Sequence, residues 1–177
     1  MEVEAKHDVL LRALEKFYVD PQVFDEFRHV VTGQSSMSLR VLDWLVTNYA
    51  KKNNIVYGIC VKDRDVTFNM FLEYKSQLKA YSKRFFDPFC RRGRVVHRGV
   101  ETTVGQLNFF RWALQYGVLE FARRHHDEIE HDMLDSIQHR YAHAPSRQAS
   151  DAKRKELSKA AIKTCTTTMV KVKVKFS

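Results

Sequence analysis

Basic and aromatic side chains are interleaved over residues 74–98, and together these residue types bind anionic surfaces. Between residues 75 and 98, eight lysines and arginines stand against one acid, Asp87. The pattern predicts aromatic anchoring by burial, with the cations held toward a polyanion or an acidic partner. The alternative is a core segment whose charges are solvated or face acidic parts of the same chain. The candidate binding residues are Lys75, Lys79, Lys83, Arg84, Arg91, Arg92, Arg94 and Arg98.

The net charge of +9 is unevenly distributed along the 177 residues. Residues 1–74 carry 9 basic and 11 acidic side chains, and residues 99–143 carry 4 and 7. Residues 144–177 carry 9 basic and 2 acidic side chains, so this tail is a second basic segment. Such a distribution is typical of proteins that contact nucleic acid, an acidic protein lattice or an anionic membrane surface.

The acidic region contains the weak candidates for a metal site, His126, Glu130 and His131. On a helix His126 and Glu130 share a face, as do Asp127 and His131, and such pairs can bind a divalent metal. No HExxH motif and no second ligand cluster accompany them. A solvated helix face with ion pairs explains the spacing equally well, so we expect no metal and no other cofactor.

Cys90 is a candidate catalytic nucleophile, because the neighbouring Arg91 and Arg92 would favour its thiolate. His97 could then serve as its base. No acid that would orient the histidine is evident, and the phosphate-binding motifs GxxxxGK[ST] and GxGxxG are absent. The three cysteines form no CxxC motif, which argues against a zinc site or a disulfide framework. The sequence therefore predicts a protein that is not an enzyme.

The elements before the basic segment are mostly helical. Apolar spacing predicts helices over residues 4–18, from Pro21 to about Gly33, and from a Ser36 or Ser38 cap to about Lys52. Residues 55–61 read as a strand, and residues 66–72 either return as its hairpin partner or begin a helix. We favour the hairpin, followed by a short helix from about 74 to 82.

The elements after the basic segment begin with a short strand around Val95 to Val100. A helix capped by Thr102 or Thr103 follows, with a break at Gly117 and a continuation to about Tyr141. A helix-turn-helix over residues 106–124 is disfavoured, because docking would turn acidic side chains toward phosphates.

The C-terminal region differs in composition from the rest of the chain. Residues 144–160 are polar and predict a linker, whereas residues 161–177 form a basic arm that ends in alternating valine and lysine. The expected fold is a mostly helical α+β domain over residues 1–143, with a small antiparallel sheet and an extended arm. The final strand could pair with residues 55–72 or with a neighbouring chain. We expect neither a signal peptide nor a membrane span.

Four blocks of sequence resemble a family of small basic proteins carried by large nucleocytoplasmic DNA viruses, including algal and giant viruses. The blocks are SLRVLDWLVTNY (38–49), YKSQLKAYSK (74–83), FDPFCRR (86–92) and GQLNFFRWA (105–113). The resemblance covers about residues 35–135 and excludes the basic tail. The family has no assigned catalytic residues to carry over.

The resemblance implies two non-enzymatic roles. We favour a virion assembly protein, such as a minor capsid protein, that is part of a larger assembly and binds neighbouring capsid subunits. Residues 74–98 and the arm, including Lys171, Lys173 and Lys175, would make these contacts. The alternative is a non-specific nucleic-acid-binding protein in viral transcription, replication or genome packing. The expected location is the virion, and the host cytoplasm during assembly.

Overall fold

The computed structural model describes residues 2–61, 64–89 and 93–142, which are mostly helical with two small antiparallel sheets. This architecture confirms the α+β class. The predicted linker (144–160) and arm (161–177) lie outside the described residues. The elements are α1 (Glu2–Phe17), α2 (Pro21–Val31), α3 (Leu39–Trp44), a π-helical turn (Leu45–Tyr49), α4 (Ala50–Lys52), β1 (Val56–Val61), β2 (Arg64–Asn69), α5 (Met70–Phe85), β3 (Arg94–His97), β4 (Val100–Thr103), α6 (Val104–Gln115), α7 (Val118–Arg124) and α8 (His126–Ala142).

Side-chain caps fix the starts of three helices, as the sequence predicts. Asp20 accepts a hydrogen bond from a backbone N–H of α2 at 2.9 Å, and Pro21 follows it. Ser38 caps α3 at 3.2 Å, and Thr103 caps α6 at 3.1 Å. Each cap satisfies an N–H that the helix itself leaves without an acceptor.

The third predicted helix does run from Leu39 to Lys52, but its middle is a π-helical turn, Leu45–Tyr49. Leu45 and Val46 are fully buried in this turn. The Thr47 hydroxyl donates to the backbone carbonyl of Asp43 at 2.6 Å. Hydrophobic spacing does not distinguish a single π turn from α-helix, so the sequence could not show it.

The first hairpin confirms the predicted strand pairing for residues 66–69, whereas residues 70–72 belong to helix α5. β1 and β2 pair antiparallel, with Tyr57 opposite Phe68 and Ile59 opposite Val66. Phe68 is buried and stacks on Tyr116 at 5.2 Å between ring centroids, which fixes the base of the hairpin to the core. Helix α5 begins directly after β2, at Met70 rather than at the predicted residue 74.

The strand predicted around residues 95–100 is confirmed for residues 95–97, but Val100 belongs to a second strand that was not predicted. β3 and β4 form a second hairpin in which His97 pairs with Val100. Arg98 and Gly99 make the turn with φ values of 48° and 81°. Two successive positive φ values produce a tight hairpin turn, and an Arg-Gly pair is a weaker turn signal than Asn-Gly.

Helix α6 forms the centre of the core. Nine of its twelve residues are buried, including Phe109, Phe110 and Trp112. A helix that is buried on most sides requires neighbours all round, and α6 packs against α1, α2, α5 and α7. Gly117 ends this stretch with a φ of 68° before α7 starts.

Helix α8 docks part of its acidic face onto the third helix. The Trp44 indole N–H donates to Asp132 at 2.9 Å, and Lys52 forms an ion pair with the same carboxylate. The Tyr49 hydroxyl donates to Glu128 at 3.1 Å. The interpretation of α8 as a merely solvated face is therefore incomplete.

In the described part of the chain, no helix combines the length and apolar character that a membrane crossing requires.

Candidate interaction surface

The first turn of α5 is held firmly at its inner side. Asn69 accepts a hydrogen bond from the Leu72 N–H at 3.1 Å and donates to the Asn54 side chain at 3.3 Å. Met70 and Tyr74 are buried beneath the helix. The helical period therefore turns Leu72 and the residues one turn later outward.

Two lysines lie over the half-buried Phe71 ring. The Lys51 ammonium lies 5.7 Å from the ring centroid, and the Lys75 ammonium lies 5.5 Å from it. These are cation–π distances, and the two ammonium groups can be no more than about 11 Å apart, the sum of both distances. Lys51 comes from α4 and Lys75 from α5, so two elements build one cationic feature.

Exposed apolar side chains occur in α5 and at the start of β1, the strand that follows α4. Leu72, next to Phe71 in α5, is 62% exposed. Val56 is 45% exposed and pairs across the hairpin with Asn69, the residue that caps α5. We call this surface the basic-apolar patch. It consists of Lys51, Val56, Phe71, Leu72 and Lys75.

The cations of this region lack acidic neighbours. Within residues 2–61, 64–89 and 93–142, no carboxylate lies within ion-pair distance of Lys51, Lys75 or Lys79. Lys79 is exposed one turn beyond Lys75 and extends the same face. Their positive charge is therefore directed outward rather than toward the chain itself.

The arginines of the second hairpin make internal contacts instead. Arg94 forms an ion pair with Glu101 at 2.7 Å, across β3 and β4. The Arg98 guanidinium donates to the Tyr18 backbone carbonyl at 2.9 Å and lies 4.9 Å from the Phe24 ring centroid. Arg98 therefore ties the hairpin to the α1–α2 corner.

The C-terminal end of α5 is kinked at Ser82, whose φ and ψ are 60° and 167°. Beyond the kink, Lys83 and Arg84 are exposed, and the Arg84 guanidinium lies 5.6 Å from the Phe85 ring centroid. The kink separates their direction from that of Lys75 and Lys79. The predicted basic segment thus does not form a single continuous face.

A buried polar clamp holds the chain after α5 against the start of α6. Asn108, fully buried, donates to the Phe85 carbonyl at 2.8 Å. Gln106 donates to the Pro88 carbonyl at 2.9 Å and accepts from Thr102 at 2.8 Å. The clamp joins two of the sequence blocks, 86–92 and 105–113, which explains why amides occur inside an otherwise apolar helix.

Asp43 lies in an unfavourable environment near this clamp. Burial, and to a lesser extent the nearby Asp87 carboxylate, raise its pKa to about 6, and Lys83 opposes this shift. Burial and a like charge both disfavour the ionised form of an acid. The carboxylate of Asp43 therefore opposes folding when it is charged.

The histidine candidates form local pairs. His126 contacts Asp127 at 3.2 Å and His131 contacts Asp135 at 3.2 Å, so neither meets Glu130 in a shared site. Among the described residues, no group of three side chains could hold a metal ion. His97 lies between aromatic rings, and burial lowers its pKa.

Several predicted binding residues lie outside the described residues: Arg91, Arg92, Lys171, Lys173 and Lys175, together with Cys90. Four members of the patch, Lys51, Val56, Phe71 and Leu72, were not among the sequence candidates. Lys51 was assigned to a helix end, and Leu72 to the apolar pattern of a strand. An alternation that ends at Asn69, a good N-cap residue, could have placed Leu72 on a helix surface.

Comparisons with known proteins assign the chain to a family. Its sequence matches the model of DUF7197, a family of unknown function, over residues 3–161, and the chain belongs to that family. An uncharacterized protein of Acanthamoeba polyphaga mimivirus is 40% identical over 117 residues, which cover 60% of this chain and 45% of that protein. The chain thus spans less than half of this relative. No solved structure gives a significant match. The resemblance to a giant-virus family of unassigned function is confirmed.

Proposed function

We propose that this chain is a non-enzymatic virion assembly protein, such as a minor capsid protein, that binds neighbouring proteins through the outer face of α5. The observation that carries the proposal is the set of outward cations Lys51, Lys75 and Lys79, which have no carboxylate partner in the described part of the chain. Cations presented in this way favour encounter with an acidic surface.

The apolar side chains beside these cations favour a protein partner. Leu72 and Val56 are exposed, and burial of their side chains against an apolar side chain of a partner would favour association. Phosphates and sugars offer Leu72 no such contact. Membership of a family with a mimivirus relative supports the viral setting, and that relative is itself uncharacterized.

The test is whether particles contain the chain. Purified virions of the virus that encodes it are washed in high salt, treated with nuclease and analysed by quantitative mass spectrometry. We expect a fixed copy number relative to the major capsid protein. Absence from washed particles would overturn the proposal.

A charge-reversal variant then tests the surface. A tagged extra copy that carries Lys51→Glu, Lys75→Glu and Lys79→Glu should enter particles less efficiently than the tagged natural sequence. A matched control reverses the exposed Lys6, Arg12 and Lys16 of α1. Equal loss in both variants would show that net charge, and not this face, governs incorporation.

Nucleic-acid binding is the second candidate, and the exposed Lys75 and Lys79, one turn apart on the same face of α5, favour it. Such a pair of cations can contact a phosphate backbone without reading sequence. Titration against duplex DNA, single-stranded DNA and RNA between about 50 and 200 mM salt decides this point. Tight binding with a steep salt dependence, weakened by the α5 charge reversal, would favour this role over assembly.

A further inference from the structure

The arrangement around Leu72 points to the chemistry of the partner. We propose that the basic-apolar patch binds an acidic protein segment, which places an apolar side chain against Leu72 and Val56 and directs carboxylates to Lys51 and Lys75. The inference rests on the proposed function, since it names the partner class for the same face of α5.

The apolar centre of the patch is preorganised. Leu72 follows a capped helix start, and its helix is anchored by the buried Met70 and Tyr74. A side chain on such a support loses little backbone freedom when a partner covers it. Exposed apolar area rimmed by polar residues is characteristic of protein interaction sites.

The cations of the patch define the partner's charge. The Phe71 ring is within cation–π distance of ammonium groups from two elements, at 5.7 Å from Lys51 and 5.5 Å from Lys75. A carboxylate that approaches either ammonium meets no competing carboxylate of the described residues within ion-pair distance. The complement is therefore a segment with an apolar residue flanked by acidic ones.

A nucleic acid fits the same surface less well. Phosphates could form ion pairs with Lys51 and Lys75, but Leu72 would then face a strongly hydrated backbone and would add no binding free energy. Removal of Leu72 would be neutral for such a ligand. The leucine is thus the residue that distinguishes the two classes.

The experiment uses the full chain and three labelled probes in fluorescence anisotropy. The first is a short peptide in which leucines are flanked by glutamates, the second is the same peptide with serine for leucine, and the third is a single-stranded DNA oligonucleotide. We expect the first probe to bind most tightly. Failure of the leucine peptide to bind, or equal binding of all three probes, would overturn the proposal.

Variants locate the binding to the patch. Leu72→Ser should weaken binding of the leucine peptide by about tenfold, because an apolar anchor is lost. Lys75→Glu should weaken it by at least as much, whereas Lys16→Glu, on α1, should change it little. Since Leu72 is 62% exposed, its replacement leaves the fold intact, and circular dichroism verifies this. Unchanged binding in Leu72→Ser would place the peptide elsewhere and refute the proposal.

The two proposals fail separately. If the chain is a stoichiometric virion component but Leu72→Ser neither weakens peptide binding nor reduces its incorporation, the patch proposal fails and the assembly role remains. If the chain is absent from virions but binds the leucine peptide through Leu72, the assembly role fails and the patch stands.

Discussion

Replacement of Asp43 by asparagine should stabilise the protein at neutral pH. Burial and the Asp87 carboxylate raise the pKa of Asp43 from 3.8 to about 6. Each pKa unit corresponds to about 1.4 kcal/mol, so ionised Asp43 costs the folded state up to about 3 kcal/mol relative to the protonated acid. Asparagine has nearly the same shape and never ionises, so Asp43→Asn avoids this cost.

The pH dependence of the effect carries the sharper test. The folded state binds the Asp43 proton more tightly than the unfolded state does, so this residue's contribution makes the free energy of unfolding fall as pH rises from about 4 to about 6. Above pH 6 the contribution is constant. The natural sequence and Asp43→Asn should therefore be nearly equal in stability near pH 4 and differ most at pH 7.

Urea unfolding followed by tryptophan fluorescence, at pH 4 and pH 7, measures both free energies of unfolding. Asp8→Asn is the matched control, because the Asp8 side chain is 68% exposed. The reasoning would be refuted if Asp43→Asn were no more stable than the natural sequence at pH 7. It would also fail if the gain were the same at both pH values.

Three further substitutions test the contacts that hold the fold, each by urea unfolding. Gly117→Ala should lower the free energy of unfolding by about 1–2 kcal/mol, because a φ of 68° strains any residue with a Cβ. Asn108→Ala should lower it by about 1–3 kcal/mol, since the Phe85 carbonyl loses its buried donor. Arg98→Gln should lower it by about 1–2 kcal/mol through loss of the bond to the Tyr18 carbonyl and of the stacking on an aromatic ring.

Gly58→Ala is the control for the first of these substitutions. Gly58 has no positive φ, and, as at Gly117, an added Cβ would meet no atom within 4 Å. A cost at Gly117 without a cost at Gly58 isolates backbone conformation. If both alanines were equally tolerated, the left-handed turn between α6 and α7 would not be a constraint. Lys79→Gln, on the exposed face of α5, is the control for the other two and should leave stability unchanged.

The helices were predictable because their signals are local. Asp20 with Pro21, and Ser38 before an apolar run, specify helix starts that the structure reproduces. The first hairpin was predicted in part: the charged turn between two apolar runs favoured pairing, but the sequence left a helix open for residues 66–72, and residues 70–72 are helical. The second hairpin was not, because its turn uses Arg98 in a left-handed conformation that sequence seldom signals.

The interaction surface could be predicted only in part. Charge density identified Lys75 and Lys79, but the same density includes Arg94 and Arg98, which bind the chain's own groups. A one-dimensional charge count cannot tell an outward cation from an internally paired one. Lys51 joins the surface because α4 packs beside α5, a tertiary contact without a local signature.

The π-helical turn Leu45–Tyr49 determines the directions in which the following side chains, up to Lys52, leave the helix. A π turn accommodates one extra residue, and each helical residue advances the direction of its side chain by about 100°. With this phase, Lys52 points to Asp132 and Lys51 points to Phe71. A relative that lacks one residue here and continues as regular α-helix would have both lysines rotated away, with the core side of α3 unchanged. A change of one residue in the length of this turn could therefore create or remove the basic-apolar patch in related chains.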